Sequence, residues 1–314
     1  MRILALVPGG IGDQILFFPT LDDLKRNYPQ ATIDVLVEPR AKSAYRVCKS
    51  VHEVLTFDYK DRNSLADFGN LVGILRDREY NTAISVTQNA NINFLLWLTG
   101  IPTRVGYQGK GSFFLTNSVP LKTEQYTAAM YHDLLQGIGI KSPTPDLTIN
   151  VPKPDIDWAQ NEQKRLNVHE TGYILIYGGT NTTSNGSEYP QSSWQQIVQD
   201  FRQKQPEMPV VVVQEPEDNF GQGRSLGASE VKITSPSDIG KLAAMIAGAN
   251  LMLCIDSPPM HLAVAVQTYT IALFGLSSPQ QLLPTSDRFL AIKSPNGNLA
   301  TISPAAILEK VWGA

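Results

Sequence analysis

The feature that most constrains this chain is its alternation of short apolar runs with amphipathic stretches, kept up along almost the whole length. Residues 3–7, 32–37, 54–57, 82–85 and 103–107 read as strands. Between them, 13–28, 65–78 and 91–98 carry apolar residues at helical spacing; in the first of these Ile15, Leu16, Pro19, Leu21 and Leu24 form the buried face. A short helix is expected at 41–48 and a closing one at 126–137. Strands that are apolar throughout and separated by helices predict parallel sheets covered on both faces, an α/β fold.

Residues 141–155 interrupt this rhythm with Pro143, Pro145, Pro152 and Pro154, which predicts an extended linker. The alternation then resumes. Strands are expected at 173–177, 210–214, 251–255 and 270–274, with helices at 193–203, 239–247, 260–265 and 304–312. The reading is of two halves, 1–150 and 151–314, with the last helix free to pack back on the first half. With 314 residues, the chain is long enough for two ordinary domains.

Composition narrows the function classes. A 42% hydrophobic and 18% charged chain can bury a large core. Its net charge of −3, with no dense basic run, lacks the electrostatic footprint of a nucleic-acid binder. Cys48 and Cys254 are too few for a disulfide scaffold, sit in apolar company and form no CxxC pair, so reduced, buried thiols are expected. The apolar start, Met1 to Val7, is broken by Pro8-Gly9-Gly10 before a signal-peptide core could form, and no run is long enough to span a bilayer. A cytoplasmic location is expected, which leaves room for peripheral work at the inner membrane surface.

Three strand-end loops could carry chemistry. The first is Pro8-Gly9-Gly10-Ile11-Gly12-Asp13, between the first strand and first helix. Ligands of doubly wound sheets bind outside the carboxyl ends of strands. Gly9, Gly10 and Gly12 permit close backbone approach, and a helix start offers N–H groups to an anion. A dinucleotide fingerprint would need a third glycine at position 15, which is Ile15, and no GK[ST] follows. Asp13 is either the N-cap of the helix or a working carboxylate.

The second loop runs Asp256-Ser257-Pro258-Pro259-Met260-His261, with Gly275-Leu276-Ser277-Ser278 expected beside it. Its small polar groups suit a phosphate or sugar, or else simply cap and fill a helix start. The third, Gly178-Gly179-Thr180-Asn181-Thr182-Thr183, combines glycines with hydroxyls apt for phosphate oxygens, or is a long surface loop. His52, His132 and His169 are scattered without ligand spacing, so no metal site is expected. Glu215-Pro216-Glu217-Asp218 reads as a solvated acidic loop, and no Gly-x-Ser-x-Gly elbow is present.

Taken in order, these segments resemble glycosyltransferase family 9, the ADP-heptose:lipopolysaccharide heptosyltransferases. Gly12-Asp13 followed by Pro19 is similar to that family's opening signature. Gly100-Ile101-Pro102-Thr103-Arg104-Val105-Gly106-Tyr107 is similar to its Gly-x-x-x-Arg-x-Gly-aromatic segment. His132-Asp133-Leu134-Leu135 resembles the helix before its linker, and Asp256 to Ala263 with Leu273-Phe274-Gly275 resembles its second-half signature. The resemblance implies a GT-B architecture of two Rossmann-like domains facing across a cleft, acceptor on the first and nucleotide-sugar on the second. It implies inverting, metal-independent transfer of a heptose or related sugar, without cofactor, from an ADP-linked donor to a lipopolysaccharide, glycolipid or polysaccharide.

On the same grounds Asp13 is the general base. Gly178, Thr180, Thr182, Thr183, Asp256, Ser257, Met260, His261 and Gly275 serve the donor, and Arg104 and Tyr107 lie on the acceptor side. Two departures stand out. Ser187-Glu188-Tyr189-Pro190 lacks the lysine common before Trp-Pro, and Pro258 replaces a glycine and removes one N–H. They favour an alternative, a GT-B binding or scaffold relative with a degenerate donor site and no turnover. A sugar-nucleotide epimerase would need further acidic and histidine residues in the cleft.

Overall fold

A computed structural model describes residues 1–59, 64–179, 188–214 and 231–313. The chain divides after Asn150 into two compact units. The first carries strands β1 (Arg2–Val7), β2 (Thr32–Val37), β3 (Glu53–Thr56), β4 (Thr82–Ser85), β5 (Thr103–Tyr107) and β6 (Asn117–Val119). Its helices are α1 (Ile11–Asn27), α2 (Leu65–Asp77), α3 (Ala90–Leu98) and the short α4 (Thr127–His132). The strands form one parallel sheet in the order β3-β2-β1-β4-β5-β6. Chain order reverses between β1 and β4, so the loops after these two strands flank the switch point.

The second unit repeats the scheme. Its strands are β7 (Ile174–Tyr177), β8 (Val210–Val213), β9 (Lys232–Thr234), β10 (Leu251–Ile255), β11 (Thr270–Phe274) and β12 (Phe289–Lys293). Its helices are α5 (Lys153–Arg165), α6 (Gln191–Lys204), α7 (Ile239–Ala247), α8 (Pro258–Ala265), α9 (Pro279–Leu282) and α10 (Pro304–Trp312). The parallel sheet runs β12-β11-β10-β7-β8-β9, with its switch point between β7 and β10.

Central strands are buried throughout: Ile3 to Val7 are fully enclosed in the first unit, and Ile174 to Tyr177 are buried in the second. Such runs need helices on both faces, which is why the intervening segments are amphipathic. In the second unit Trp194, Ile197, Val198 and Phe201 of α6 join Ile174, Ile176 and Leu253 in one core. Truncating Trp194 would remove roughly 3–5 kcal/mol of stability.

The structure corrects the linker. Residues 141–152 are irregular, but α5 begins at Lys153, with Pro152 at its cap and Pro154 in its first turn. Proline at a helix start loses nothing, because the first N–H groups have no intrahelical partner. The two later prolines therefore start a helix where extended chain was expected. The last helix stays with its own unit: Trp312 donates to Asp200 of α6 at 2.8 Å and packs on Phe201.

Candidate active site

Asp13 lies in the first turn of α1, at the switch point of the first sheet. It is not the N-cap. Gly10 holds that position, and Asp13 is the third residue of the helix. Its Oδ2 accepts the Gly10 N–H at 2.9 Å, and its Oδ1 accepts the Tyr131 hydroxyl at 3.1 Å. Asp13 is half-buried, whereas Tyr131 is only 7% exposed. Burial, and then the negative charge of Asp13, push the Tyr131 hydroxyl up, so it remains a protonated donor at ordinary pH.

One glycine of this loop is explained by the carboxylate. Gly9 has φ +131, and a Cβ there would stand 2.4 Å from Asp13 Oδ2. Only glycine lets the side chain fold back over the turn. Gln14, next along α1, is fully buried and carries a role that local sequence did not reveal. Its amide donates to the Val7 carbonyl at 2.9 Å and accepts the Tyr45 hydroxyl at 2.7 Å. The loop is thus tied to the end of β1 from below. Gly12 lies within α1.

The two residues expected on the acceptor side are engaged by their own unit. Tyr107 is 2% exposed and donates to the Met130 carbonyl of α4 at 2.9 Å. Arg104 donates to the carbonyls of Phe114, at 2.8 Å, and Ile101. The Tyr107 hydroxyl is spent on α4, and Arg104 spends Nε and Nη1 on backbone carbonyls; both fasten the β5 region.

In the second unit three adjacent strands bring Gly178 (after β7), Asp256 and Ser257 (after β10) and Gly275 (after β11) to one sheet edge. Thr180, Thr182 and Thr183 lie outside the described residues, as do 215–218. Asp256 accepts the Ser277 hydroxyl. Burial pushes the Asp256 carboxyl up, partly offset by that bond and by Lys293. The Lys293 ammonium, at the end of β12, donates to the carbonyls of Gly275 (2.5 Å) and Ser277 (2.6 Å). A Cβ on Gly275 would meet the Gly297 carbonyl at 2.9 Å, so glycine is required there. Lys293 was not legible as a site residue; the apolar run Phe289 to Ile292 ending on it was the available signal that a strand delivers Lys293 to this edge.

The start of α8 differs from expectation. Ser257 is its N-cap, but the hydroxyl donates to the Ile255 carbonyl at 2.9 Å instead of capping. Pro258 and Pro259 have no N–H, and the Met260 N–H donates to the Ser257 carbonyl at 3.0 Å. Met260 is fully buried. The N–H of Met260, a residue expected to serve the donor, is therefore committed inside the helix. His261 is 4% exposed, its Nδ1 has no hydrogen-bond partner among the described residues, and burial lowers its pKa to about 4. It is a neutral imidazole at neutral pH.

Elsewhere, Asp34, His52 and Glu53 bring ligand-type atoms within 4.8 Å of one another, a cluster not visible in the spacing of the sequence. Two guanidinium groups already serve it. Arg78 pairs with Glu53 and lies 3.8 Å from Asp34, Arg2 lies 3.4 Å from Asp34, and Tyr80 donates to Asp34 at 2.8 Å. Cations so placed oppose a divalent ion, and the cluster reads as an ion-pair network fixing β1, β2 and β3. Cys254 is buried as expected, but Cys48 is half-exposed; burial still pushes its thiol up to about 12, so neither is a nucleophile. Among the described residues, no helix is long and apolar enough to cross a membrane.

Two parallel six-stranded sheets of this order, each with its polar loops at the switch point, define the GT-B class of glycosyltransferase. The model of glycosyltransferase family 9 (heptosyltransferase) matches residues 69–311, and the chain belongs to that family. It is similar to the glycosyl transferase family 9 structure from Veillonella parvula, at 18% identity and a TM-score of 0.83, covering 99% of this chain and 96% of that one. It is similar too to Escherichia coli ADP-heptose lipopolysaccharide heptosyltransferase II, at 19% identity and 0.80, covering 100% and 98%. A relative of different description is the chloroplastic photosynthetic NDH subunit of subcomplex B 1 of Arabidopsis thaliana. It is 23% identical over 334 residues, which span 96% of this chain and 71% of that protein.

Proposed function

We propose that this glycosyltransferase moves a heptose or related sugar from an ADP-linked donor to a lipid-linked saccharide, with inversion, without a metal and with Asp13 as general base. The acceptor hydroxyl attacks the anomeric carbon and gives its proton to Asp13. The new carbon–oxygen bond forms as the bond to the diphosphate breaks, and the nucleoside diphosphate leaves with the electron pair. What carries this reading is the Asp13 carboxylate, fixed through both oxygens at the first switch point in a loop that requires Gly9. The second switch point, with Gly178, Asp256 and Gly275, is the donor side. The Lys293 ammonium held against that edge supports it, since it brings a positive charge to this edge in a chain that lacks the lysine before Trp-Pro.

A lipid-linked acceptor is supported by an apolar groove of about 460 Å³ between α2 and α3, lined by Phe68, Val72, Phe94, Leu95 and Leu98 with Arg76 alongside. Trp97 and Phe113 are 50% and 78% exposed. Aromatic and cationic side chains of this kind suit a headgroup boundary, hence peripheral contact with the cytoplasmic face of a membrane. The second reading, a binding relative without turnover, is favoured by the prolines that open α8 and by the likeness to a photosynthetic complex subunit. A thermal-shift series with ADP-, GDP- and UDP-linked sugars separates the readings. A shift with ADP-heptose and release of ADP in the presence of a lipid-linked acceptor is expected. Binding without release would establish the second reading, and no shift with any nucleotide would overturn both.

A further inference from the structure

Three consecutive residues of α4 are fixed from two sides, Met130 by β5 and both Tyr131 and His132 by α1. The Met130 carbonyl accepts the Tyr107 hydroxyl of β5 at 2.9 Å. The Tyr131 hydroxyl donates to Asp13 Oδ1 at 3.1 Å. His132 Nε2 lies 3.0 Å from Asp23 Oδ2, and the Ser142 hydroxyl donates to the same oxygen. Asp23 sits about three turns further along α1 than Asp13. Phe17 of α1 meets the Tyr131 ring edge-on at 6.0 Å. Burial opposes the Asp23 charge, but Ser142, His132 and Arg26 outweigh it and hold that carboxyl below its usual range.

A helix of only six residues has no stability of its own. The bonds on Met130 and His132 supply it, and they set the one side chain between them against the carboxylate at the switch point. A carboxylate has about four acceptor sites. Here the Gly10 N–H takes one on Oδ2 and Tyr131 takes one on Oδ1, which stops rotation of the group and leaves acceptor sites free on both oxygens. Nothing in the core requires the Tyr131 hydroxyl, since a phenylalanine ring fills the same space and keeps the Phe17 contact.

We propose that Tyr131 is the positioning residue of the base: α4, braced by Tyr107 and by the Asp23–His132–Ser142 cluster, holds its hydroxyl on Asp13 Oδ1 and fixes the direction from which the carboxylate takes the acceptor proton. The proposal rests on Asp13 being the base. It also reassigns Tyr107, whose place is behind α4 and not among acceptor contacts.

The test compares steady-state transfer and crystal structures for the wild type, Tyr131→Phe and Tyr107→Phe. Tyr131→Phe is expected to lower kcat by about tenfold to a hundredfold, because misplacing a reacting group is felt mainly in turnover. Its donor KM should stay within about twofold of wild type. Its Asp13 carboxylate should rotate away or occupy two positions. Tyr107→Phe, which leaves the Tyr131 hydroxyl but loosens α4, should lose about threefold, and it carries the test should Tyr131→Phe not fold. Unchanged kcat with an unmoved carboxylate would overturn the proposal. So would a donor KM that rises in step with the fall in kcat, the mark of general loosening. A wild type that transfers no sugar would instead defeat the proposed function, and the carboxylate position in the variant would then decide the clamp alone.

Discussion

The two sheets share one strand order, and two helices that flank their switch points, α1 after β1 and α8 after β10, begin in opposite ways. At α1 the cap is Gly10, the first two helical residues keep their N–H groups, and Asp13 is bonded on both oxygens. At α8 the cap hydroxyl turns away to Ile255, the first two helical residues are prolines, and His261 is buried with one nitrogen unpartnered among the described residues. The same topology therefore carries one end built to hold a negative side chain still and another stripped of the donors that usually meet an anion. Beside that second end, Lys293 donates to the carbonyls of Gly275 and Ser277, and Ser277 donates to Asp256.

The largest effect that would break this comparison comes from Gly9→Ala. A Cβ at φ +131 would press on the Asp13 carboxylate, and displacing a catalytic group by about 1 Å costs on the order of a hundredfold in turnover. The expected result is a fall of that size in kcat with nucleotide binding intact; full activity in this variant would deny that the loop is shaped around Asp13.

Next comes a pH effect at the other helix. His261 has a folded pKa of about 4, below its unfolded value near 6.5, so the unfolded chain binds the extra proton first. Its contribution is fully present above about pH 6.5 and is lost as pH falls from there towards 4. Between pH 7.5 and 5 that is on the order of 2 kcal/mol. Urea midpoints at both values should show this loss in the wild type and not in His261→Asn, apart from the titrations the two proteins share.

The smallest effect sharpens the contrast. Pro258→Gly returns one N–H to the start of α8 and should tighten ADP binding by about threefold, read by calorimetry. No change would mean that the anion does not use this helix.

Much of the scaffold was legible because strands buried on both faces are apolar throughout. The bounds of β2, β4, β5, β10 and β11 coincide with the runs in the sequence. Elements that rest on tertiary context were not. β6, β9 and β12 are short edge strands with mixed burial, and α5 is a polar helix whose opening prolines look like linker. At the site, Asp13 and the loops at Gly178, Asp256 and Gly275 could be picked out because chain order places them at strand ends. Tyr131 could not, since its bond to Asp13 joins residues 118 apart in sequence. Nor could the commitment of Tyr107 and Arg104 to backbone carbonyls, because an exposed and a buried tyrosine read alike. The spacing that marked Asp13 could not say whether it capped α1 from outside or from the third helical position.

The account turns on Asp13 acting as a base and not merely steadying α1. Single-turnover transfer from ADP-heptose by the wild type and Asp13→Asn, at matched nucleotide occupancy, tests this most directly. Asparagine can keep the Gly10 N–H bond through its one oxygen while its NH2 donates to the Tyr131 oxygen, so stability should change by no more than about 1 kcal/mol. The rate should fall by about a hundredfold to ten-thousandfold. A variant that binds the donor and transfers at the wild-type rate would contradict the account.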